Sequence, residues 1–284
     1  MTGFQFQMDV SGLSRSQQAI ANYIAGALQR IPYCTDEEIA EKVGVSTATV
    51  SRFWRAIGYQ NLKDFKKALQ QAGQSGQATP ARKMEHILNK VEHIEADIVG
   101  ELIEIASSNL AETAKRVERG QFVGASEALH AARKIYLHGG GAASFLTELL
   151  AFRLERIGLE TQRLAASGSE LLEGLMHAGS EDCVVLFGFV KRTPELTVLL
   201  DHRREAGYRT VLITDLLLSD MLEESDYVLQ LDRGKLEGFH SMTAPVAIVE
   251  ALTVAVTQRR GREGMDKLEK LHALRKRYAA QLPK

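Results

Sequence analysis

Between Ser46 and Arg55 the chain sets hydroxyl and guanidinium groups in close succession: Ser46, Thr47, Thr49, Ser51, Arg52 and Arg55. Hydroxyls exchange hydrogen bonds with phosphate oxygens and with base edges, and the planar fork of arginine suits both. Lys63, Lys66 and Lys67 extend the cationic run, with Asp64 as its one acidic neighbour. The whole chain of 284 residues has a formal net charge of −1, so this patch is local and no uniformly basic coat exists. A cationic patch on a near-neutral chain is what binding to a polyphosphate backbone requires.

Such groups need a rigid carrier, and the flanking residues supply one. Thr35 and Glu38 form a Ser/Thr-x-x-Glu capping box that starts a first helix, and Ile39, Ala40 and Val43 fall on one of its faces. Gly44 suits the left-handed residue that ends such a helix, and Ser46 suits the N-cap of the next. On that second helix Val50, Phe53, Trp54 and Ile57 make an apolar stripe that leaves the hydroxyls and arginines largely outside it, and Gly58 closes it. Upstream, a Ser14–Gln17 capping box opens an amphipathic helix carrying Ile20, Tyr23, Ile24, Ala27 and Leu28. Two short capped helices joined by a tight turn, with a third behind, form a helix-turn-helix whose second helix can lie in the major groove of DNA. A three-helix bundle that binds a protein partner would share the caps and glycines; the local charge favours DNA.

A second group of candidates lies beyond residue 130. His138-Gly139-Gly140-Gly141-Ala142-Ala143-Ser144 stands between a strand pattern and a helix pattern. Its glycines would let backbone N–H groups approach an anion at a helix N-terminus. Gly188-Phe189-Val190-Lys191-Arg192-Thr193-Pro194-Glu195 follows the strongest strand, with Thr193 as N-cap and Pro194 at the first helical position. Lys191 and Arg192 sit where the helix dipole disfavours cations, which is explained if they complete an anion site. Neither loop is a dinucleotide fingerprint or a P-loop. For acid–base catalysis the chain offers His138, His240 and Glu195, and it has no nucleophile elbow or metal-ligand spacing, so neither metal nor cofactor is expected. Cys34 and Cys183 lie far apart, and Cys183, in an apolar run, reads as a buried small hydrophobe.

The elements that must position these loops follow from period. Lys134–His138, Asp182–Gly188, Arg209–Thr214 and Tyr227–Leu231 read as short strands, with Glu160–Leu164 a weaker fifth. Ala142–Gly158, Ser169–Ala178, Pro194–Ala206 and Ser219–Glu224 read as the helices between them. This alternation predicts a doubly wound parallel sheet of five strands, an α/β fold joined to an all-α N-terminal domain. Ligands of such sheets bind at the carboxyl ends of the strands where strand order reverses. The polar, glycine-bearing stretch 71–80 has linker composition, and Met84, Ile87, Leu88, Val91, Ile94, Ile98, Leu102 and Ile105 mark a helical connector after it. Two amphipathic segments, Thr243–Arg260 and Arg262–Gln281, close the chain. The predicted organisation is therefore 1–75 helix-turn-helix domain, 76–120 linker and connector, and 121–284 α/β domain. No signal-peptide pattern or bilayer-length apolar run is found, and a cytoplasmic location is expected.

The combination resembles the MurR/RpiR family of bacterial transcription regulators. The likeness is strongest over Val45–Tyr59 and Asn61–Lys66, and it resumes at Ala128–Gly141, which looks like the entry to a sugar isomerase (SIS) domain. The resemblance implies an operator of double-stranded DNA with palindromic half-sites, a phosphorylated sugar or sugar-acid effector, and a homodimer or homotetramer assembled through the second domain. It also allows an alternative, a sugar-phosphate isomerase with a fused DNA-binding head. Against the family's Gly-x-Gly-x-Ser loop, Gly139 and Gly141 fit, Ala143 takes the serine position and Ser144 comes one residue late. Against its Ser-x-Ser-Gly-x-Thr phosphate loop, Gly188, Val190 and Lys191 replace both serines and the glycine, and Thr193 remains. The expected DNA-facing residues are Ser46, Thr47, Thr49, Ser51, Arg52, Arg55, Lys63, Lys66 and Lys67. The expected effector residues are Gly139, Gly140, Gly141, Ser144, Lys191, Arg192, Thr193 and His240, with Lys191 and Arg192 standing in for the missing hydroxyls.

Overall fold

The structure, a computed structural model, describes residues 13–27, 31, 34–67, 84, 98–217, 219–234 and 240–282. The chain divides into two compact units, Met1–Glu101 with Leu216–Glu223 and Gly234–His240 in one, and Leu102–Asp215, Glu224–Arg233 and Ser241–Lys284 in the other.

In the first unit α1 (Arg15–Ala27), α2 (Asp36–Val43) and α3 (Thr47–Ala56) pack around one core, and residues 62–67 add a further helical turn. Both predicted capping boxes form: Ser14 with Gln17, and Thr35 with Glu38. Gly44 ends α2 at φ 74°, the left-handed conformation that other residues adopt only at a steric cost. Ile20, Ile24, Ile39, Val50, Phe53, Trp54 and Phe65 are fully buried together. Burial of side chains this size is worth about 1.5–3 kcal/mol each, which is what holds such short helices in place. The Trp54 ring stacks on Phe65 at 5.0 Å between centroids, and its indole N–H donates to Asp36 Oδ1 at 2.8 Å.

In the second unit, α4 (Ile98–Arg116, from Leu102 onward) and α5 (Arg119–Ala131) lead into the sheet. Its elements are β1 (Ile135–Gly139), α6 (Ser144–Arg156), β2 (Thr161–Arg163), α7 (Ser169–Leu175), β3 (Cys183–Gly188) and α8 (Pro194–Ala206). They continue through β4 (Arg209–Thr214), β5 (Tyr227–Gln230) and α10 (Thr243–Arg277); the short α9 (Asp220–Glu224), between β4 and β5 in the chain, falls in the first unit as far as Glu223. All neighbouring strands pair in parallel in the order β2-β1-β3-β4-β5.

Alternation along each strand sends Ile135, Leu137, Cys183, Val185, Phe187, Val211, Ile213 and Leu229 into a core shared with α5, α6 and α10. The intervening Tyr136, His138, Val184, Leu186 and Leu212 are buried on the opposite face. Burial pushes the Cys183 thiol up to about 12, as befits a small hydrophobe and not a nucleophile. Order reverses between β1 and β3, and the register sets Gly139 beside Phe187, so the loops after these two strands leave the sheet side by side.

The predicted elements are present with small shifts. β1 runs one residue further than expected, and α6 starts later because Gly141–Ala143 form a 3-10 turn. The two closing segments are parts of α10 separated at Gly261, whose φ of 54° and ψ of −126° break the helix. The linker at 71–80 and most of the connector stripe lie outside the described residues; Ile98, Leu102 and Ile105 of that stripe are exposed.

Candidate nucleic-acid face and effector site

The second helix of the helix-turn-helix, α3, is sorted by solubility. Val50, Phe53 and Trp54 are buried, whereas Ser46, Thr47, Ser51, Arg52 and Arg55 are exposed and Thr49 is half-buried. Ser46 caps the helix by accepting from Thr49 N at 3.2 Å, and its hydroxyl also bonds the Thr49 hydroxyl at 2.9 Å. Arg52 Nε bonds back to Ala48 O at 3.2 Å, which lays the guanidinium along the helix surface. Lys63 and Lys67 are exposed. Lys66 differs, being half-buried with its ammonium donating to Cys34 O at 2.6 Å, so its placement also ties the residue-62–67 turn to the rest of the bundle.

At the other candidate site β1 ends on Gly139, where a Cβ would stand 2.9 Å from Ala143 O and 3.0 Å from Ala143 Cβ. Only glycine lets the chain fold back this tightly. Gly140 and Gly141 are exposed, and Gly141 has φ 57°. The Ser144 hydroxyl donates to Gly141 O at 2.8 Å and closes the turn.

The loop after β3 takes an unusual form. Val190 has φ 69°, and Lys191 N donates back to Phe189 O at 2.8 Å, which makes a γ-turn of the strained, positive-φ kind. Asp215, at the carboxyl end of β4, accepts the Val190 N–H at 2.8 Å through Oδ1, and Arg233 approaches its Oδ2 at 3.2 Å. Arg233 is buried, lies 4.3 Å from the centre of the Phe189 ring and donates to Ser241 O at 3.1 Å. Burial lowers its pKa from the ordinary value, and Asp215 pulls the other way. Thr214 Oγ1 holds Gly188 O at 2.6 Å.

Of the residues expected here, Arg192 turns to its own surroundings: Nε donates to Thr197 Oγ1 at 2.9 Å and the guanidinium pairs with Glu224 at 2.9 Å. Lys191 is exposed. Thr193 caps α8 as expected, accepting from Leu196 N at 3.4 Å. His240 is half-buried and belongs to the first unit.

Glu195, named in the sequence only as a possible acid or base, sits at the head of α8. Bonds from its own backbone N–H, the Thr193 hydroxyl and the Ser167 hydroxyl hold its carboxyl below the usual range, with His138 nearby. His138 is 3% exposed; burial lowers its pKa, against Glu195 and the Ala165 carbonyl, and its Nδ1 has no hydrogen-bond partner among the described residues. Sequence reading did not single out Ser167, Asp215, Glu224 or Arg233. Asp215 could have been found, since it ends a strand at the ligand edge of a parallel sheet; Ser167, Glu224 and Arg233 carry no such signal.

Comparison with known proteins agrees with both units. Residues 4–76 match the helix-turn-helix domain of the rpiR family, and residues 128–255 match the SIS domain. The chain is 28% identical over 234 residues to an uncharacterized HTH-type transcriptional regulator of Haemophilus influenzae, covering 80% of this chain and 78% of that one. In fold it is similar to the Vibrio vulnificus NanR protein complexed with ManNAc-6P, with a TM-score of 0.58, 21% identity and 97% of each chain covered. It is also similar to the sugar isomerase domain of an RpiR transcription factor from Sphaerobacter thermophilus, with a TM-score of 0.57, 20% identity, and 61% of this chain and 97% of that one covered. With an rpiR-type helix-turn-helix followed by a parallel five-stranded SIS domain, this chain belongs to the RpiR family of transcriptional regulators.

Proposed function

We propose that α3 enters the major groove of an operator and that the SIS domain adjusts DNA affinity in response to a phosphorylated sugar or sugar acid. The observation that carries the DNA half is the sorting of α3, with its apolar residues inside and Thr47, Ser51, Arg52 and Arg55 exposed on a capped, rigid helix. Thr47, Thr49, Ser51, Arg52 and Arg55 divide between base edges and phosphates, while Lys63 and Lys67 hold the backbone and Lys66 mainly fastens the bundle. A homodimer or homotetramer, joined through the second domain, reads palindromic half-sites about one helical turn apart or a multiple of it. The parts of this machine are residues 1–75, 76–120 and 121–284.

For the effector, the likeness to the NanR structure complexed with ManNAc-6P supports a sugar phosphate, and the exposed Gly140, Gly141 and Lys191 at the reversal of strand order support an anion held there. In this reading the protein senses and does not turn over its ligand.

The test is fluorescence anisotropy with an operator selected from random DNA by the protein itself. Arg52→Ala should weaken specific binding by about 1–3 kcal/mol if it reads a base. Unchanged affinity at moderate salt would remove α3 from the groove. Thermal-shift screening of the full chain against sugar phosphates and sugar acids tests the sensor, because a ligand of the folded state must raise the melting temperature. Aldose–ketose turnover that is lost in His240→Ala would replace the sensor with an isomerase.

A further inference from the structure

A line of short polar contacts runs from the loop after β3 to α4. Val190 N–H gives to Asp215 Oδ1 at 2.8 Å, and the buried Arg233 meets the other oxygen of that carboxylate at 3.2 Å. Asp232, the chain neighbour of Arg233, serves α4 instead. Its carboxylate pairs with Arg116 at 2.6 Å, and its N–H gives to the hydroxyl of the buried Thr113 at 2.9 Å. Thr113 in turn gives to Asn109 O at 2.8 Å, so Asp232 is seated on the last turns of α4. This helix is shared between the two units: Ile98–Glu101 belong with the helix-turn-helix and Leu102–Arg116 with the sheet.

A line of contacts transmits nothing unless one of its members has two arrangements. Val190 supplies them. Its φ of 69° is costly for a β-branched residue, and the bond to Asp215 helps to hold it there. An anion seated at Lys191, the next residue and an exposed one, competes with Asp215 for the Val190 N–H. Two negative groups beside one half-buried N–H repel each other. When the carboxylate lets go, Val190 can return to a negative φ. Arg233 is drawn along, because a buried cation favours the carboxylate it is paired with. Its displacement reaches Asp232 through the chain.

We propose that the Val190–Asp215 bond is the switch of the sensor: the effector's anion takes the Val190 N–H from Asp215, and the displaced Asp215–Arg233 pair acts through Asp232 on α4. The inference rests on reading the second domain as an effector sensor, and it names the route by which occupancy of that site reaches a helix that begins in the helix-turn-helix unit.

The experiment uses the full chain. Titration of the unmodified protein with inorganic phosphate, at ionic strength held constant with chloride, should move the amide resonance of Val190 and, in step with it, those of residues 109–116. No movement at Val190, or movement there without α4, overturns the proposal. Asp215→Ala imitates the displaced carboxylate without any ligand. Hydrogen exchange over residues 102–116, measured relative to β3 so that global unfolding cancels, should quicken by about fivefold or more. Affinity for the selected operator should change by about threefold or more. Arg116→Gln cuts the line at its α4 end, and in that background Asp215→Ala should add little to either effect. Additive effects, or no effect of Asp215→Ala, overturn the proposal. Asp215→Asn, which keeps the shape and removes the charge, should act in the same direction and serves if the alanine variant does not melt cooperatively. Failure of the sensor reading looks different: no sugar phosphate or sugar acid then shifts the melting of the unmodified chain, while Asp215→Ala still loosens α4.

Discussion

The backbone N–H of Val190 donates to Asp215 Oδ1 at 2.8 Å, and this bond joins the loop after β3 to the end of β4 while Val190 stands at φ 69°. A β-branched residue in that region is under strain of about 1–3 kcal/mol. It persists because Asp215 grips the N–H on one side and Arg233, packed on Phe189, grips Asp215 on the other.

Val190→Gly should therefore raise stability by about 1 kcal/mol, since relief of strain exceeds the added chain entropy of glycine. Differential scanning calorimetry should show a melting temperature higher by about 2–4 °C for a domain of this size. A lower one would mean that the turn is not strained. Asp215→Ala should act in the opposite sense and more strongly, by about 3 kcal/mol, because it removes both the acceptor of the Val190 N–H and a carboxylate paired with the buried Arg233.

In the helix-turn-helix, Trp54 and Asp36 are coupled through the 2.8 Å indole bond that fastens α3 to α2. Asp36→Ala should cost about 1–2 kcal/mol, as the buried indole N–H loses its acceptor. A double-mutant cycle with Trp54→Phe should give a coupling energy of about 1 kcal/mol. Strict additivity in urea titrations would show that the bond contributes nothing.

His138 sets a pH dependence. Burial holds its folded pKa below the unfolded value of 6.5, so the unfolded chain binds the proton first as the solution is acidified. Its contribution is fully present above 6.5 and is lost as pH falls from there through the depressed folded value. Melting curves of the wild type should decline across this window, and His138→Gln should decline less. Parallel curves for the two proteins would assign the acid sensitivity to other groups.

Gly139→Ala tests the tight return of the chain after β1. The added methyl would meet Ala143 O at 2.9 Å, a backbone atom that cannot swing aside. The substitution should destabilise by about 1–3 kcal/mol, as overpacking does, and displace the 3-10 turn that precedes α6. Gly140→Ala, with open space around its Cβ position, is the control and should melt nearly as the wild type does. Equal melting of the two variants would show that the return is looser than its geometry suggests.

The elements of this protein were legible in its sequence because they rest on local physics. The Thr35–Glu38 box, the left-handed Gly44, the Ser46 cap and the Thr193–Pro194 start of α8 each act within a few residues, and each is formed as the residue types require. The same holds for the strand–helix alternation that dictates a parallel sheet, and for the break at Gly261 between the two closing segments. Partnerships were not legible, since they join residues far apart in the chain. Nothing in the order of residues tells Arg192 to pair with Glu224, or Asp215 to hold Val190. The sequence by itself determined that there is a helix-turn-helix and a loop-bearing parallel sheet. Only the tertiary structure decided which charges at that sheet's edge are already spoken for, because a charge is spent on whichever opposite group the fold brings within reach.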